Sequence, residues 1–155
     1  MASRRPQIVM SSDEVEAFLR PARTLGVATI GPTGHPHVVA MWYGFLDGQV
    51  AFWTFAKSQK ILNLRRNPKL SALAEEGTTY DRLKGVELVG EGRIVEDFDD
   101  IVRIGLSVAE RHTGPGALAD EARPFIDAQA RKRLGVVIEV ERVVSWDHTK
   151  LDGTY

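Results

Sequence analysis

The sequence predicts a mainly β fold, a six-stranded antiparallel barrel with flanking helices. Three observations carry this. Short runs rich in β-branched and small residues recur along the chain. In the first half the links between them are turn signals, too short for crossover helices. Helical periodicity is confined to the start, one short link and one insert. Six strands joined as hairpins make an antiparallel sheet, and closing it into a barrel removes its edges.

The elements follow in order. Residues 1–22 form a helical segment, in which Ser11 and Glu14 have capping-box spacing. Val15, Phe18 and Leu19 mark one apolar face, and Pro21 ends it. Residues 24–31 read as a strand, Pro32-Thr33-Gly34 as a turn, and residues 35–45 as a second strand. Asp47-Gly48 is a hairpin signal leading into a third strand at 49–55. Residues 58–67 change period to a short helix that Pro68 closes. Strands at 69–75 and 86–96 flank a loop. A helical insert spans 97–133, broken at Thr113-Gly114-Pro115-Gly116 into helices at 97–112 and 119–133. The last strand, 134–146, carries Val136, Ile138 and Val140 on one face. No repeat or linker interrupts the chain, so its 155 residues read as one domain.

Composition excludes several classes. There is no cysteine, which removes disulfide, zinc-thiolate, iron–sulfur and thiol-nucleophile chemistry. The net charge of −1 lacks the basic excess of a nucleic-acid binder. No apolar run approaches the roughly 18 residues of a membrane span, and the N-terminus lacks a signal-peptide core, so a cytoplasmic protein is expected. His35 and His37 share a strand face, but with no cysteine or acidic partner nearby they read as turn-edge residues, not metal ligands.

The segment from Gly48 to Ala74 holds no acidic residue in a chain with 21 of them, yet it carries Lys57, Lys60, Arg65, Arg66 and Lys69. Lys57 and Lys60 fall where the third strand hands over to the short helix, with Ser58 at the N-cap position. Helix N-termini offer free N–H groups and a positive dipole end. Two ammonium groups and the hydroxyls of Thr54 and Ser58 would complete a phosphate seat. Composition alone favours the plainer alternative of solvated lysines, and the junction narrows that gap without closing it.

The run FWTFAKSQKILNLRRNP, the loop TTYDRLKGVELVGEGRIVED and the ending RVVSWDHTKL resemble the flavin/deazaflavin oxidoreductase family with the pyridoxamine-phosphate-oxidase-like split barrel. More narrowly they are similar to its actinobacterial branch that uses coenzyme F420, an 8-hydroxy-5-deazaflavin. The resemblance runs from Thr24 to Leu151. It implies a six-stranded split barrel working as a homodimer, with cofactor sites at the subunit interface and a small-molecule substrate. It implies that Val38, Val39, Ala40, Met41 and Trp42 lie along the cofactor ring. Thr54, Lys57, Ser58, Gln59 and above all Lys60 would hold the phosphate, with Arg65 and Trp146 also near the cofactor. FMN is the alternative cofactor, and a non-catalytic carrier of F420, flavin or haem is the alternative role.

The cofactor carries hydride chemistry, so the protein need supply only orientation, dryness and electrostatics. Tyr43 and His148 are the candidate proton donors. Trp42 and Trp53 read as a cross-strand aromatic pair that fills a core or stacks on the cofactor. Arg82 and Lys84 are candidates for a polyanionic tail, and Lys150 is a further residue of the cofactor-approaching end.

Overall fold

The computed structural model describes residues 4–115 and 120–151. The chain runs α1 (Arg5–Ile8), α2 (Ser12–Leu19), β1 (Thr24–Ile30), β2 (Pro36–Trp42), β3 (Gly44–Leu46), β4 (Gln49–Phe55), α3 (Gln59–Arg66) and β5 (Lys69–Glu76). It continues through β6 (Lys84–Val95), α4 (Phe98–Thr113), α5 (Arg123–Ala130) and β7 (Arg133–Asp147). The strands form one antiparallel sheet in the order β2-β1-β5-β6-β7-β4-β3.

The sheet has seven strands where the sequence predicts six, because the run 35–45 divides at Tyr43. Its backbone N–H donates to Arg23 O at 3.3 Å and its ring turns into the core. β2 and β3 are the two edges of the sheet, yet only Tyr43 separates them in the chain. The sheet must therefore curl until its edges meet there. Beyond that point β2 and β4 diverge, which leaves an open seam.

The hairpin predicted at Asp47-Gly48 joins β3 to β4, and both residues have positive φ, 50° and 80°, as a two-residue turn of this hand requires. The capping box forms as read: Glu14 N–H donates to Ser11 Oγ and Ser11 N–H to the Glu14 carboxylate. The second insert helix is shorter than predicted, Arg123–Ala130. Gly114 ends α4 with a φ of 89°, and Ala119 lies outside the described residues.

Two cores result. Leu25, Val27, Phe52, Val136 and Ile138 fill the barrel, with Ile61 and Leu64 of α3. Ala51 and Val137, on the opposite sheet face, pack under Ile101 and Ile104 of α4 and Ile126 of α5. Alternation along β7 explains its unbroken apolar run: Val136 and Ile138 face the barrel, Val137 the helices.

Candidate functional site

The seam between β2 and β4 is a cleft of about 450 Å³. Ala40, Met41 and Trp42 form one wall and Trp53, Thr54 and Phe55 the other, with Lys60, Val108 and Arg133 completing it. Trp42 and Trp53 are therefore not a paired cross-strand couple as expected. β2 pairs with β1 and β4 with β7, and the two indoles face the cleft from opposite edges.

Lys60 is 8% exposed. Its ammonium donates to Thr54 Oγ1 at 2.9 Å, and among the described residues no carboxylate lies within ion-pair distance. Burial alone pushes its pKa below the ordinary lysine value. The sequence holds it there through α3. Asn63, fully buried, donates its amide to Thr29 Oγ1 at 3.0 Å, and Gln59 donates to Asn63 Oδ1 at 2.8 Å, tying the helix to β1. Ser58 sits at the N-cap, but its side chain makes no cap bond. Thr54 donates instead to Ser58 Oγ at 3.3 Å. A buried cation, two hydroxyls and an uncapped helix start, with no acid among them, fit an incoming phosphoryl group.

The remaining predicted residues scatter. Val38 and Trp146 line a second groove of about 390 Å³ on the outer sheet face, with Leu73. This groove and the cleft both border β2. Val39 is half-buried on β2, on the opposite face from Val38. Lys57 and Gln59 are exposed at the cleft end of α3. Arg65 pairs with Glu96 at 3.0 Å on the surface and does not line the cleft. Lys84 pairs with Asp147, and Lys150 with Glu14.

Neither proton-donor candidate lines the cleft. Tyr43 is fully buried and donates its hydroxyl to Leu19 O at 2.5 Å; burial raises its pKa despite the nearby Arg111. His148 Nδ1 lies 2.8 Å from Tyr80 O, its ring edge-on to the Tyr80 ring. Within the single chain both make packing contacts. Sequence reasoning missed Arg133. Its neighbours Arg131 and Lys132 make a basic triplet, but only the pairing of β7 with β4 brings Arg133 beside the acid-free segment.

A curled antiparallel sheet with a cation-lined seam defines a split-barrel protein. The pyridoxamine 5'-phosphate oxidase family matches residues 11–147, and the chain belongs to it. A conserved hypothetical protein from Mycobacterium tuberculosis is 47% identical, with a TM-score of 0.92 over 99% of this chain and 95% of that one. An F420 reductase is 26% identical, with a TM-score of 0.58 over 83% of this chain and 94% of its own. The haem storage protein from Vibrio cholerae is 17% identical, with a TM-score of 0.68 over 89% and 96% of the two chains, and shares the fold. No curated protein matches the chain.

Proposed function

We propose that the protein binds a phosphorylated flavin-type cofactor in the β2–β4 cleft and uses it for two-electron oxidoreduction of a small molecule. The observation that carries this reading is Lys60: a buried ammonium whose described partner is one hydroxyl. Burying a cation without its opposite charge is costly, and an anionic ligand removes that cost. Coenzyme F420 is the preferred cofactor, supported by the likeness to an F420 reductase, and FMN is the alternative. When bound, the deazaflavin supplies hydride transfer. Lys60, Thr54 and Ser58 hold the phosphate, and the free edge of β2 offers backbone donors and acceptors to the ring. Trp42 and Trp53 form flat, water-excluding walls. With Tyr43 and His148 elsewhere, the substrate proton comes from solvent. A homodimer completes the site by covering the outer face of β2.

The absence of Tyr43 and His148 from the cleft favours a second reading, a carrier that holds the cofactor without turnover. Titration of tryptophan fluorescence with F420 and with FMN separates the possibilities, since two of the three tryptophans line the cleft. The expected result is saturable quenching by F420 and reduction of enones or nitro compounds by the loaded protein. Binding without reduction of any substrate leaves the carrier. Binding of neither cofactor overturns both readings.

A further inference from the structure

Arg133 opens β7 and stands opposite Phe55 in the β4–β7 register. Its guanidinium lies over the Trp53 ring at 4.7 Å and over the Phe55 ring at 4.5 Å. Those rings are two residues apart on β4, hence on one strand face. Trp53 is itself held by Gly105 of α4, where a Cβ would approach Trp53 Cζ3 to 2.5 Å. Behind the guanidinium, Nη1 donates to Gln129 O at 3.2 Å and to Gln129 Oε1.

Guanidinium has five N–H donors, and a structural arginine normally spends most of them. Arg111 shows this in the same chain: it donates to the carbonyls of Tyr43, Arg20, Leu19 and Ala22. Arg133 differs. Its Nε and Nη2 have no partner among the described residues, it has no carboxylate within ion-pair distance, and it lines the same cleft as Lys60. Two cations sharing one partly desolvated cleft repel each other unless the occupant supplies opposite charge. The rings and Gln129 fix the guanidinium before any ligand arrives, so little ordering accompanies binding.

We propose that Arg133 is a second anion-binding residue of the cleft and, with Lys60, forms a two-cation seat for a ligand that brings two negative charges there, at least one of them on a phosphoryl group. This rests on the flavin-type reading above and specifies the ligand it takes. Two sources share that chemistry. FMN carries both charges on a phosphate monoester, and F420 spreads them over a phosphodiester and the adjoining carboxylated tail.

Calorimetric titration of the full chain with FMN, riboflavin, F420 and its phosphate-free deazaflavin riboside tests the proposal, using Arg133→Gln and Arg133→Lys. Arg133→Gln should weaken the phosphorylated ligands by about tenfold or more, as loss of a charge-assisted contact does. Riboflavin and the riboside should bind it within about twofold of wild type, and Arg133→Lys should recover part of the loss. The source is whichever of FMN and F420 loses more. Equal weakening of phosphorylated and phosphate-free ligands means Arg133 only packs the wall, and overturns the proposal. Unchanged binding of all four overturns it too, while the flavin-type reading stands. If wild type binds none of them, both fail.

Discussion

On the proposed reading, Lys60 sets ligand binding against stability. A buried ammonium with one neutral partner destabilises the empty protein, and its lowered pKa reports the same penalty. Lys60→Met keeps the apolar stem, removes the charge and leaves the Thr54–Ser58 hydrogen bond in place. It should raise the melting temperature of the ligand-free protein by roughly 2–4 °C, the equivalent of about 1 kcal/mol for a chain of this size, while abolishing binding of the phosphorylated cofactor. The pH dependence has a definite sign. The folded pKa lies below the ordinary 10.5, so between the two values the unfolded chain binds more protons, and wild-type stability gains a rising contribution with pH. The gap between wild type and variant should therefore narrow as pH climbs through that alkaline window. A thermal melt series from pH 7 to 10 checks this. A variant less stable than wild type at pH 7 would mean that the ammonium is a structural tie. At this scale the sequence was legible where chemistry is local. The acid-free window and the strand–helix junction lead to Lys60, Thr54 and Ser58. Arg133 was not legible, because its place depends on two strands far apart in sequence. Arg65, which the resemblance places near the cofactor, pairs with Glu96 on the surface, because the helix turns it there.

Helix α4 shapes the cleft without supplying its charge. Val108 lines the wall, His112 stacks on Trp42 with ring centroids 4.0 Å apart, and Gly105 seats Trp53. Arg111 fixes the helix end by binding the carbonyls of Leu19 and Arg20 at the C-terminus of α2, where a cation is favoured, and by lying over the Tyr43 and Phe45 rings. Gly105 lies on the buried stripe of α4 with Ile101 and Val108, as helical spacing requires. Its true requirement is space for an indole from another element, which periodicity cannot reveal. Gly105→Val should push Trp53 out of place, disturb the stack on Arg133 and cost about 1–3 kcal/mol, as overpacking does. The near-UV circular dichroism of Trp53 should change while far-UV helicity is kept. Chemical denaturation with an unchanged midpoint would show that the α4–β4 contact has slack.

For the whole molecule, the antiparallel character was legible because turn chemistry is local: Asp47-Gly48 and Pro32-Thr33-Gly34 mark reversals without knowledge of tertiary contacts, whereas the strand count fell one short because the break at Tyr43 depends on its burial in the core. The strand order was not legible, since neither the β1–β5 nor the β4–β7 pairing has a short-range signal. That order leaves β2 with a free edge, Val38 67% and Trp42 60% exposed along it, and Leu73 beside it in the outer groove. An unprotected apolar edge invites strand addition, and proteins keep such edges covered. In the proposed homodimer a second copy covers the outer face of β2 while the cofactor takes the edge that faces the seam, and one event then shields the apolar residues and completes the cofactor site. The expectation is a particle of about twice the 17.2 kDa chain at micromolar concentration, by light scattering after size exclusion. Leu73→Asp puts a charge in the outer groove and touches no residue of the cleft, so it should leave the fold and its circular dichroism intact. It should yield a monomer that binds F420 and FMN more weakly, with affinity recovering as protein concentration rises. A wild-type monomer that binds cofactor at full affinity would place the whole site within one chain and leave the exposed edge without its proposed role.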